Sequence, residues 1–220
     1  MNKLQQNYET SMENYEALRA VSHKFNDARL ALSFLLTEKD ANNASRYLNT
    51  VLKNYTELLT EGFNCVYYGL FSAYFYGNAV KDVKKAQEYL LKGVELNDSA
   101  CKGELAFMYL AGCPELSVKQ DLEKSKEIVK SICFEEHRTL DNFFRAMKYP
   151  DSKHSGEFMV GLIKIYMSKL IIYIKHGGFG EDEKEQKKQI KVCQQNIKYY
   201  MKHNYYAEKW AKQVRKEYLR

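Results

Sequence analysis

Two stretches of this chain repeat one another, and that constrains the fold more than any other feature. The first reads Val66-x-x-x-Leu70-x-x-x-Tyr74-x-x-Gly77, then Asp82-x-x-x-Ala86-x-x-Tyr89; the second reads Cys101-x-x-x-Leu105-Ala106-x-x-Tyr109-x-x-Gly112, then Asp121-x-x-x-Ser125-x-x-Ile128. Their leading halves are 35 residues apart (Val66 to Cys101) and their trailing halves 39 (Asp82 to Asp121), the difference being an insertion around Cys113-Pro114. Self-similarity at a period of this length belongs to stacked helical units. A weaker copy precedes them, Ala28-x-x-x-Leu32-Ser33-x-x-Leu36 followed by Asp40-x-x-x-Ala44-x-x-Tyr47-x-x-x-Val51-Leu52, and a fainter half-copy starts at Asp151.

Each recurring residue has a mechanical reason. Leucine and tyrosine one turn apart lay an apolar stripe along a helix. Gly77 and Gly112 stand where a helix ends most cleanly on a residue that tolerates positive φ. Asp40, Asp82 and Asp121 precede the next apolar-periodic run, where a carboxylate caps free amides. Ala44, Ala86 and Ser125 are small enough to let the second helix of a pair approach the first.

The spacing predicts helices near 3–21, 24–37, 41–59, 63–77, 83–96, 99–112, 120–134, 138–148, 154–175, 182–202 and 204–218. Repeats fall at about 24–59, 63–96 and 99–134, with a helical C-terminal cap over 137–220. The expected architecture is all-α, an α-solenoid of antiparallel helix pairs forming one domain. Pro114 and Pro150 both lie between periodic segments, so neither has to break a helix.

On these residues the chain resembles the Sel-one-like repeat family, relatives of the tetratricopeptide repeat. Its repeats read A-x-x-x-L-G-x-x-Y-x-x-G, then D-x-x-x-A-x-x-W/Y and a pair of small residues. Leu70, Tyr74, Gly77, Asp82, Ala86 and Tyr89 match in order, with Gly93 at a small-residue position; Leu105, Tyr109, Gly112 and Asp121 match in the next copy. Phe71 and Ala106 replace the glycine expected after the leucine, and Lys39 replaces the terminal glycine of the first copy. The resemblance covers about residues 24–133 and implies helix pairs that bind other proteins.

Composition narrows the setting. The most apolar run, Phe158 to Ile174, carries Lys164 and Lys169, and is expected to be a buried helix with two exposed edges rather than a membrane span. No secretory signal is visible at the amino terminus, so the expected compartment is the cytoplasm. Cys65, Cys101, Cys113, Cys133 and Cys193 have no C-x-x-C pairing, and read as small buried hydrophobes rather than disulfides or zinc ligands. Of a net charge of +6, about +5 sits between Glu181 and Arg220.

No catalytic, cofactor or metal site is expected. His23, His137, His154, His176 and His203 are scattered; His137 with Asp141, and Asp151 with His154, have the spacing of ordinary helix neighbours. Gly177-Gly178-Phe179-Gly180 lacks the lysine and hydroxyl of a phosphate loop and reads as a helix break.

The expected function is binding of a protein partner, through Leu30, Phe34, Tyr68, Phe75, Phe107 and Leu110, which recur on the side of each first helix that a solenoid turns to its concave face. The competing account of these six is burial between neighbouring repeats. A narrower reading within the same class is an immunity or antitoxin protein that occludes a toxin. Nucleic-acid binding ranks lower: Lys198-Tyr199-Tyr200-Met201-Lys202 and Tyr205-Tyr206 interleave cations and rings, yet Tyr199, Tyr206 and Trp210 equally suit a seal over the last repeat.

Overall fold

Capped helices follow one another along the chain, each ended by a turn that its own sequence specifies. The structure is a computed structural model that describes residues 21–63, 66–132, 156–203 and 205–219, with backbone alone for 156–160, 162, 203 and 205–207. The helices are α1 (21–35), α2 (Ala41–Thr60), α3 (Tyr67–Tyr76), α4 (Val83–Glu95), α5 (Ser99–Ala111), α6 (Leu122–Lys130), α7 (Gly156–Lys175), α8 (Glu183–His203) and α9 (Tyr205–Tyr218). No strand occurs among the described residues. The helices expected over 3–21 and 138–148, and the half-copy's start at Asp151, lie outside the described residues.

The three aspartates cap as expected. Asp40, Asp82 and Asp121 each accept a hydrogen bond from the amide three residues on, those of Asn43, Lys85 and Lys124, at 2.9–3.0 Å. Ala44, Ala86 and Ser125 are fully buried at the helix approach. Gly112 ends α5 with φ of 78°, a conformation that glycine adopts at little cost and residues with a side chain rarely do. Gly77 differs from expectation. Its φ is −75°, so no left-handed turn is needed; instead a Cβ there would collide with the Ala73 carbonyl oxygen and press on Val80. Close approach, not dihedral freedom, selects that glycine.

Each of four helix couples makes contacts whose numbers rise on one helix as they fall on the other. In α1 and α2, Lys24 meets Glu57 and Glu61, Phe25 meets Tyr55, and Phe34 stacks on Tyr47. In α3 and α4, Tyr74 stacks on Tyr89, and a Cβ at Gly93 would come within 2.8 Å of Tyr67 Cβ. In α5 and α6, Ser125 Oγ donates to the Ala106 carbonyl at 2.8 Å and Lys102 Nζ reaches the Ser131 carbonyl at 3.2 Å. In α7 and α8, Tyr166 stacks on Tyr200, while at the turn Tyr173 donates to Glu181.

The two best-matched stretches share one hinge. The Asp82 amide donates to the Tyr74 carbonyl at 3.0 Å, and the Asp121 amide to the Tyr109 carbonyl at 2.8 Å. Lys85 lies over the Tyr74 ring, and Lys124 over the Tyr109 ring. The insertion after Gly112 folds into a short 3-10 turn (Pro114–Leu116), closed by reciprocal Cys113–Val118 backbone bonds and anchored by buried Leu116.

α3 and α5 are apolar nearly all round, and Tyr68 to Phe75 and Ser99 to Ala106 are buried without a break. α5 lies between α4, α6 and α7, and α3 touches α2, α4 and α7. α7 meets α5 across two glycines. A Cβ on Gly103 would lie 2.7 Å from the Gly161 carbonyl oxygen, and one on Gly161 would lie 2.9 Å from Ala100 Cα. α8 and α9 then pack on α7 and on each other.

Candidate interaction surface

Beside the two glycines, four helices meet around one buried ion pair. Glu104 on α5 has 2% of its side chain exposed and Lys164 on α7 has 3%, and the two form an ion pair. Glu104 also accepts from the Tyr68 hydroxyl at 3.0 Å and the Tyr76 hydroxyl at 2.9 Å, both from α3. Lys164 donates to the Tyr76 hydroxyl at 2.7 Å and faces the rings of Tyr76 and, on α9, Trp210 at 5.1 and 5.4 Å. Burial, then the negative charge of Glu104, pushes both hydroxyls well above their ordinary range; Tyr68 is buried whole, whereas Tyr76 is 36% exposed as a residue and is shielded at the hydroxyl, between Glu104 and Lys164. With both oxygens of Glu104 engaged, one by Tyr76 and the other by Tyr68 and Lys164, the cluster ties α3, α5 and α7 together.

This cluster revises the expectation for the apolar run. Lys164 is not an exposed edge; it is buried because Glu104 and two ring faces receive it. Lys169 is half-buried, and burial lowers its pKa. Asp98, 3% exposed, caps α5 through the amides of Ala100 and Cys101 and also accepts from the Tyr68 amide at 3.2 Å, fixing the start of α3 against α5.

The six expected partner-binding residues do not share one environment. Tyr68 and Phe75 are buried, at 1% and 9% exposure. Phe107 is half-buried, edge-on to Trp210 at 5.0 Å and to Tyr218 at 6.1 Å, and Leu110 is half-buried in the same apolar cluster. Leu30 and Phe34 are exposed, at 43% and 45%, on α1. The aromatic tail divides similarly. Tyr200 is buried on Tyr166 and Trp210 packs on Phe107, while Tyr199 remains exposed.

Two surface hollows lie among the C-terminal helices. The smaller, about 490 Å³, is lined by Val129, Lys130, Ile132, Lys169, Tyr173 and the 179–181 turn. There Glu181 is burdened by burial, but the backbone amides of Glu181 and Phe179 and the Tyr173 hydroxyl together hold it below the usual carboxylate range. The larger, about 630 Å³, is a groove between α7, α8 and α9 with Leu170, Ile174, Met201 and Leu219 as its apolar lining and Gln194, Lys198 and Arg215 as its polar one. Sequence reasoning missed it, because these residues come from three helices and no single periodicity joins them.

No helix among the described residues is long and apolar enough to cross a membrane. No group of three or more His, Cys, Asp or Glu that could hold a metal ion occurs among them, and His137, Asp141, Asp151 and His154 lie outside them. Cys101 and Cys193 are buried and Cys113 half-buried, all three with free thiols; Cys65 and Cys133 lie outside the described residues. Neither a family model, nor a curated protein, nor a solved structure matches the chain.

Proposed function

We propose that this chain is an α-solenoid of antiparallel helix pairs, in the manner of Sel-one-like repeats, whose function is to bind another protein. The duplicated hinge, with Tyr74 and Asp82 bonded as Tyr109 and Asp121 are, supports the repeat reading. Free, buried Cys101 and Cys193 suit a reducing compartment such as the cytoplasm.

The observation that carries protein binding is the open groove of α7, α8 and α9. Ile174 remains 45% exposed at its edge beside buried Leu170. Apolar side chains gathered in a surface groove are worth most to a protein when a partner removes them from water.

A photo-crosslinking residue at Gln194 in the native cell tests the proposal. A discrete crosslinked protein is expected, and its yield should collapse when Ile174→Glu is added. Equal capture with and without Ile174→Glu, in a variant that still melts cooperatively, would remove the groove as the binding surface.

A further inference from the structure

We infer that the groove between α7, α8 and α9 receives an acidic amphipathic helix of the partner, a deepening that rests on the protein-binding reading of the same groove. The shape comes first. Gln194, Lys198 and Met201 stand at i, i+4 and i+7 on α8, so one stripe of that helix, about 10 Å or two turns long, forms one wall, and Arg215 on α9 lines the same groove. A slot running along a helix suits a second helix, which presents apolar anchors at the same spacing.

Charge then selects the occupant. Lys198 and Arg215 lie at the apolar lining, and neither forms an ion pair among the described residues. Three other lysines of these helices are held by local acidic partners, Lys187 by Glu183, Lys188 by Glu185 and Lys212 by Glu208, and so are less available to a partner. Exposed Lys191 and Lys202, at i and i+11, extend the basic side of α8 past Lys198. Cations on two helices around an apolar strip match carboxylates flanking an apolar stripe.

A nucleic acid fits less well. Its phosphates would find the cations, but among the described rings Tyr200 is buried on Tyr166, Trp210 packs on Phe107 and Lys164, and exposed Tyr199 stands about 100° round α8 from Lys198, off the groove.

The test uses the full chain and three fluorescent synthetic helical peptides. All have the same length; one has leucines at i, i+4 and i+7 with glutamates on the flanks, one has lysines in place of the glutamates, and one has serines in place of the leucines. Anisotropy should show the acidic leucine peptide binding about tenfold or more tighter than either control, with the gap over the lysine peptide closing as salt rises. The double variant Lys198→Glu/Arg215→Glu should reverse the preference between acidic and basic peptides while melting like the wild type. Equal binding of acidic and basic peptides, or none of either, overturns the inference, while crosslinking from Gln194 that Ile174→Glu abolishes would keep the protein-binding reading standing. Displacement of the acidic peptide by an oligonucleotide overturns it too, as does a self-association that Ile174→Glu abolishes, which would seat a second copy in the groove.

Discussion

The joint between α3 and α4 and the joint between α5 and α7 both bring helices together, by opposite means. The first uses parts that lie close in sequence and recur: an aspartate cap, a tyrosine carbonyl receiving the aspartate amide, and a small residue at the approach. The second uses parts that do not recur among the described residues, Gly103 against Gly161 and Glu104 against Lys164, with the charges sixty residues apart. The first kind of joint can be copied along a chain, whereas the second specifies one particular seat. A contrast in charge makes the same point. Lys24 pairs with Glu57 and Glu61 across α1 and α2 in largely hydrated surroundings, where ion pairs contribute little, but Lys164 and Glu104 are sealed from water.

The sharpest way to break that contrast is to remove one charge from the α5–α7 seat. Lys164→Met or Glu104→Gln alone should cost about 3–5 kcal/mol, since each strands a buried ion, and the two together should restore most of the loss. Urea unfolding of the two singles and the double measures the coupling; additive losses would mean that the pair does not act as one unit.

A smaller effect tests whether the seat is closed to hydroxide. Tyr68 and Tyr76 keep their protons well above the 10.0 expected of a free tyrosine. The folded state then binds more protons than the unfolded one at alkaline pH. Their contribution to stability is therefore complete below about pH 10 and declines as pH rises from there toward the folded value. Denaturant titrations on the alkaline side should show this decline, and Tyr68→Phe should flatten it. An unchanged slope would show that water reaches the hydroxyls.

Smallest should be the loss of one copied part. Asp82→Ala removes a cap and should cost about 1 kcal/mol, and Asp40→Ala about the same, because each serves its own helix. Thermal melts of the singles and the pair should add; strong non-additivity would tie these joints together in a way their geometry does not.

How far the fold could be read from the sequence follows the same division. The caps, the small residues at the helix approach and the insertion at Cys113-Pro114 act within a few residues of themselves, so periodicity exposes them. Gly77 ends its helix where the pattern expects glycine but for another reason, since a stop signal and a close contact both ask for glycine. Lys164 misled because a lysine in an apolar run normally marks an edge, and the partner that buries it is remote. The groove was illegible for a related cause: Ile174, Lys198 and Arg215 become neighbours only after three helices have packed.

The sixty-residue separation of Glu104 from Lys164 also sets an order of events. A chain made from its amino end completes α5 long before its cation exists, and the carboxylate must meanwhile stay hydrated. The earlier helices can thus form their local turns at once, but the surface that will receive α7 cannot dry until α7 arrives. Premature burial of that surface, by collapse or by a stray neighbour, is opposed by the stranded ion itself.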